Sequence, residues 1–154
     1  MAWTTPKTDW ETGELVAASD MNAIGENVAA LKQVSENVAV YTTTANASLG
    51  SSDFADVDSD DLNLTITTTG GDVLVHFHGS VYGGIYLDIA VDGSRLGGND
   101  GILRNHHHRN GSETSLLSFT RLIQNLSAGS HTFKLQAKSG STLFAGAQFW
   151  VREI

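Results

Sequence analysis

Apolar and polar residues follow two different periods along this chain. From Met21, apolar residues recur at three- and four-residue steps through Ile24, Val28, Leu31 and Val38, the spacing of one helical face. Ser19 or Asp20 is suited to cap the start, with Asn22 close behind. This pattern predicts a helix over 19–39. In heptad terms Met21, Val28 and Ser35 share one seam position, and Ile24, Leu31 and Val38 share the other, over about two and a half heptads. A helix so short is unstable alone in water. Its stripe must therefore meet a partner, either the chain's own β-domain or two further copies in a short parallel trimeric coiled coil.

Beyond residue 40 the period becomes two. Leu62, Leu64 and Ile66 alternate with Asn63 and Thr65. Val73, Val75 and Phe77 alternate with Leu74, His76 and His78. Ile85, Leu87, Ile89 and Val91 alternate with Tyr86, Asp88, Ala90 and Asp92. Phe133, Leu135 and Ala137 alternate with Thr132, Lys134 and Gln136. Gly70-Gly71, Asp92-Gly93, Ala128-Gly129 and Ser139-Gly140 supply turn signals, and Gly70-Gly71 reads as a hairpin. Strands punctuated in this way predict an antiparallel sandwich over 40–154. Leu116 to Ile123 is apolar on both faces, more apolar surface than one sandwich buries. The excess points to burial against other copies. The connection from about 93 to 114 is long, and a loop of that length inside a compact domain is usually functional or disordered.

Composition narrows the function classes. The chain has 154 residues, no Cys, 9 Lys+Arg and 17 Asp+Glu, for a net charge of −8. Without Cys there is no disulfide framework, thiol nucleophile or Cys-ligated metal. The acidic balance argues against nucleic acid, whose phosphates need a basic stripe. No run of about 18 apolar residues predicts membrane insertion. Met1 to Lys7 lacks a basic-then-apolar leader, so synthesis in a cytoplasm is expected.

Familiar catalytic motifs are missing from the sequence, including a Gly-x-Ser-x-Gly elbow, a phosphate-binding Gly loop and a His-Glu-x-x-His pair. The acids Asp53, Asp56, Asp58, Asp60 and Asp61 lack the Gly and closing Glu of a calcium loop, and a solvated strand edge suits them better. The histidines stand out. His76 and His78 share one strand face, and His106 and His108 repeat the spacing inside a triple-His loop. Imidazole binds transition metals, but one His-x-His supplies only two ligands. Threefold symmetry would supply six on the axis, so an axial transition metal is one expectation, and hydrogen-bonded interface residues are the alternative. His107, with Arg104 and Arg109 flanking the loop, could contact an acidic partner or a glycan. Trp10, Tyr86 and Trp150 could stack on sugars or pack in an interface.

Two resemblances follow from quoted stretches. Trp3-Thr-Thr-Pro6-Lys-Thr-Asp-Trp10-Glu-Thr-Gly13, continuing to Ser19-Asp20-Met-Asn22, resembles the leading segment of many tailed-bacteriophage virion proteins. This implies an anchoring arm at 1–18, with Trp3, Pro6, Trp10 and Asn22 as attachment residues. Phe54-Ala-Asp-Val57-Asp, Gly70-Gly-Asp-Val-Leu-Val75, Val91-Asp-Gly93, Leu126-Ser-Ala-Gly-Ser-His131-Thr-Phe-Lys-Leu135 and Phe149-Trp-Val-Arg-Glu-Ile154 resemble the β-sandwich modules of phage structural proteins. These are similar to trimeric jelly rolls of the TNF/C1q type.

The expectation is thus a mainly β, jelly-roll-like sandwich preceded by an arm and one short helix, assembled as a homotrimer, acting by binding and without catalysis. Its place would be the virion, as a tail fibre or tip protein contacting tail or baseplate proteins and a host-surface glycan or protein. The alternative is a trimeric capsid decoration protein or head fibre on the major capsid protein. A glycan-degrading enzyme is the third alternative.

Overall fold

The computed structural model describes residues 11–36, 38–42, 46–49, 52–58, 62–105, 114–138 and 141–154. Helix α1 spans Ala18–Glu36. Its first carbonyl partner is Ala17, which accepts from the amides of Asp20 and Met21 at 3.0 and 3.3 Å. Asp20 reaches back to the Ala17 amide at 3.1 Å. Ala17 is therefore the cap, and Asp20 fills the third helical position of a capping box. The expected caps, Ser19 and Asp20, lie two and three residues too late. The heptad pattern also carried the helix too far: Val38 is not a seam residue but opens a strand. Val-Ala-Val-Tyr-Thr suits an extended ladder better than a helical turn.

The remaining elements are strands: β1 Val38–Thr42, β2 Ala47–Leu49, β3 Ala55–Asp56, β4 Asn63–Thr68, β5 Gly71–Tyr82, β6 Ile85–Val91, β7 Ser94–Arg95, β8 Leu103–Asn105, β9 Thr114–Leu126, β10 Gly129–Lys138, β11 Ser141–Leu143 and β12 Gln148–Glu153. Among the described residues they form two six-stranded antiparallel sheets. In sheet I, β5 is central, with β12 and β11 on one side and β9 on the other; β1 and β2 extend the β12/β11 side. In sheet II, β10 lies between β6 and the pair β3/β4, and β7 and β8 follow one another along the far side of β6. Successive strands change sheet from β2 to β3, β4 to β5, β5 to β6, β8 to β9, β9 to β10 and β10 to β11. This is a jelly-roll-like sandwich.

The crossings correct one expectation. Gly70-Gly71 does not close a hairpin, because β4 pairs with β10 and β5 pairs with β12 and β9. Ala128-Gly129 is also a crossing. Asp92-Gly93 is a true hairpin turn between β6 and β7, with φ of 50° and 82°. Two successive positive φ values define the tight turn whose twist matches the strands. The pair Ser139-Gly140 lies outside the described residues.

Alternation places the core between the sheets. Phe77, Phe149 and Phe133 are fully buried together with Val73, Val75, Ile85, Leu87, Ile89 and Leu135. Phe77 meets Phe119 with centroids 5.7 Å apart. Among the described residues, no helix is long and apolar enough to cross a membrane.

The sandwich has two distinct ends. Val38 pairs with Arg152, and Glu153 pairs with Val73, so α1 leads into the end where β5 begins. At the opposite end Asn105 pairs with Ile85 and Thr114 pairs with Tyr82. The two flanks of the His-rich connection therefore stand at the end of the sandwich opposite Val38.

Candidate interaction surface

The outer face of sheet I carries the residues that β5 turns away from the core. Val73, Val75 and Phe77 are buried, while Leu74, His76 and His78 are only half-buried, as the alternation predicts. Register brings Trp150 and Thr120 to either side of His76, and Gln148 and Ser118 to either side of His78. The His76 ring stacks on Trp150 at 5.1 Å between centroids and 22° between planes. Its Nδ1 lies 2.8 Å from Thr120 Oγ1. Burial, and then the neighbouring His78, lower the His76 pKa below the ordinary imidazole value. Trp150 is thus engaged within the protomer.

This geometry does not identify His76 and His78 as metal ligands. One protomer brings two imidazoles to the face, and the Nδ1 of one is engaged by Thr120. No group of three or more His, Asp or Glu is gathered to hold a metal among the described residues. His106, His107, His108 and Arg109 lie outside those residues.

The same face continues onto an open edge. Strand β9 has 13 residues and pairs only with β5 among the described residues. Arg121 is its single charge. Leu116 is 67% exposed and Leu122 41%. A long, nearly uncharged edge strand is a template for pairing that proteins normally cover or blunt. The helix shows a similar pattern. Met21, Ile24 and Val28 are 58%, 45% and 60% exposed, so the described part of the predicted seam is uncovered in one protomer. Asn22 is exposed. The side chains of Leu31 and Val38 lie outside the described residues, as do Trp3, Pro6 and Trp10.

Sheet II presents a different surface. Asp88 was expected on a polar outer face but is fully buried. Residues 96–102 fold back over it. Its carboxylate accepts from Arg95 Nε at 2.8 Å, Gly97 N at 2.9 Å and its neighbour Ile89 N at 2.8 Å. Arg95 also donates to the Gly98 carbonyl, and Lys138 to that of Asn99. The long connection is therefore built down to Asn105. Phe54 lies under Arg95 at 3.8 Å, and Tyr86 is flanked by Arg104 at 5.1 Å and Lys138 at 4.8 Å. Arg104, the described member of the proposed contact loop, is exposed and pairs with Asp100 at 3.2 Å. Asp56 is not a freely solvated edge residue. It binds Lys134 at 2.7 Å and Gln136 at 2.8 Å. Burial raises its pKa, and these two bonds outweigh that to hold it below the ordinary value. Asp60 and Asp61 lie outside the described residues.

A Ser-His-Asp constellation escaped the sequence reading. His131 Nδ1 lies 2.7 Å from Asp92 Oδ2, and Nε2 lies 3.4 Å from Ser127 Oγ. The roles of a catalytic triad are not met. Nε2 is 2.9 Å from the Ser127 carbonyl, which only a protonated nitrogen can bond, so it has no lone pair for the hydroxyl. The Asp92 bond, opposed by burial and aided by Ser127, raises the His131 pKa. His131 thus ties the β6–β7 turn to the β9–β10 crossing. The signal was present as Asp92 in a turn and His131 at an alternating position, but nothing local linked them across 39 residues.

The tie sets a pH dependence. A raised imidazole pKa stabilises the fold fully below about 6.5 and loses that contribution as pH rises through the folded value. Asp92 is lowered, first by its bond to His131 and then by the Thr132 amide. Its contribution holds above about 4 and fades as pH falls through the folded value. The pair therefore contributes most between about pH 4 and 6.5. Thermal melts should show a loss in Tm from pH 6 to 8.5 that His131→Gln reduces. An identical pH slope in the variant would refute the tie.

No family model and no curated protein sequence matches the chain. Solved structures are similar over the sandwich. Murine APRIL matches at a TM-score of 0.49 with 12% identity, over 76% of this chain and 98% of that one. The globular domain of zebrafish complement 1qA matches at 0.47 with 13% identity, over 76% and 94%. Dimeric latent PorU from Porphyromonas gingivalis matches at 0.40 with 9% identity over 76% of this chain, which spans 12% of PorU's length. These likenesses concern the sandwich alone, and nothing in them is specific to a phage.

Proposed function

We propose that this chain is a non-enzymatic, homotrimeric structural protein of a tailed-phage virion, of the tail fibre or tip kind. The arm 1–18 attaches it, and the sandwich presents its far end to a host-surface glycan or protein. The observation that carries self-assembly is the open β9 edge of sheet I with its two exposed leucines, Leu116 and Leu122. A chain of net charge −8 repels its own copies over most of its surface. On the outer face of sheet I the described residues include one carboxylate, Asp72, at the rim, so copies can approach there. The polarity of the fold supports attachment through the helical end. Repeating a weak contact three times raises avidity without new interactions.

The solution mass tests assembly. Light scattering should give three times the 16.4 kDa chain mass, and Leu116→Asp with Leu122→Asp should give a folded monomer. A wild-type monomer at every concentration would end the proposal. Antibody labelling of virions tests location.

The alternative role, capsid decoration, is favoured by reach. The longest strand, β9, has 13 residues and spans only about 43 Å at about 3.3 Å per residue. Label on the head would replace the tail reading with this one. Release of oligosaccharide from cell-wall or capsule polysaccharide by the purified protein would overturn the binding-only role.

A further inference from the structure

Resting on self-association through sheet I, we propose that His76 and His78 make the assembly acid-sensitive, so that protonating the two imidazoles drives the copies apart. Both project from one face of β5, about 7 Å apart along the strand. Three elements carry the groups that face them. On β12 these are Gln148, Trp150 and Arg152, and on β9 they are Ser118 and Thr120. On β5 the one carboxylate is Asp72, four residues from His76 and about 13 Å along the strand, beyond the screening length at physiological salt. Its Oδ1 already accepts from Asn125 N at 3.0 Å. The nearest fixed charge on a neighbouring strand is the cation of Arg152. No described group on these strands is placed to neutralise a protonated imidazole.

The two states therefore treat the proton differently. In the separated protomer an imidazolium at His76 keeps access to water and lies on the Trp150 ring, which attracts a cation. Its Nδ1 can still donate to Thr120 Oγ1. In the assembly, the rings leave water and approach their counterparts from other copies, which penalises charge by burial and by repulsion. The lowered His76 pKa in the isolated protomer has the same two causes already at work. A proton that His76 must lose to assemble weakens association up to tenfold per pH unit below that group's pKa.

The test is the mass of the full chain by light scattering at fixed concentration and pH 8.0, 6.5 and 5.0, with far-UV circular dichroism alongside. The expected result is an oligomer at pH 8.0 and a folded 16.4 kDa species at pH 5.0, reversibly. H76Q/H78Q should remain assembled at pH 5.0. H78Q alone, which leaves the Trp150 stack and the Thr120 bond intact, should make the transition less steep. A wild-type oligomer that persists unchanged to pH 5.0 overturns acid sensitivity while leaving self-association standing. Dissociation of H76Q/H78Q over the wild-type pH range also overturns it. A monomer already present at pH 8.0 removes self-association and the acid response together.

Discussion

Asp88→Ala should detach residues 96–102 from sheet II and cost about 3 kcal/mol of stability, the lower end expected for breaking a buried charge pair. The lower end applies because Arg95 retains 33% side-chain exposure and can turn partly to water. The carboxylate is the shared acceptor for the Arg95 guanidinium and the Gly97 amide. Its loss leaves the amide without that partner and the loop without its anchor. Urea denaturation should show the loss, and hydrogen exchange should show faster exchange of the loop amides at Leu96 and Ile102. Asp88→Asn keeps an acceptor oxygen and should lose less. Gly101→Ala approaches the same loop from the other side. Gly101 has φ of +72°, and an added Cβ would strike the Leu87 carbonyl and come within 2.9 Å of Phe54. If Asp88→Ala leaves stability and loop exchange unchanged, the carboxylate is not the anchor.

Phe77→Ala should cost about 3–5 kcal/mol, the range for emptying an aromatic site in a packed core. That is much of the stability of an ordinary domain, about 5–15 kcal/mol. Phe77 is fully buried, pairs in register with Phe149 on β12 and Phe119 on β9, and lies over Gly79 two residues along β5. Removing the ring opens a cavity at the centre of sheet I that backbone shifts cannot close. Chemical denaturation should place the midpoint far below that of the wild type. A change under 1 kcal/mol would mean that the two sheets do not close over this position.

Much of the sandwich was legible because alternation is a local signal. Val73, Val75 and Phe77 face inward, and His76 and His78 outward, as their two-residue spacing requires. The Asp92-Gly93 hairpin was also legible, since its backbone demand selects those residues. Gly70-Gly71 was not, because the same turn residues serve a hairpin and a crossing between sheets. The choice depends on β10, whose pairing with β4 begins more than 60 residues later. Val38 misled for a different reason. A seven-residue step from Leu31 fits a heptad, and only the ladder with β12 shows that the helix has ended. Asp88 and His131 were illegible because partners set the burial of a polar residue. For both, the decisive contacts are made by loops folded back from elsewhere. The candidate surface was half legible: the apolar excess of Leu116 to Ile123 was plain, but its placement as an edge was not.

The two-ended build has a practical corollary for display. Ile154 donates its amide to the Asp72 carbonyl, so a peptide fused after it would emerge at the end of the sandwich where β5 begins. The Gly83-Gly84 link between β5 and β6 sits at the other extremity. A guest sequence spliced there would emerge as far from Ile154 as the sandwich allows, so two insertions could be carried without meeting.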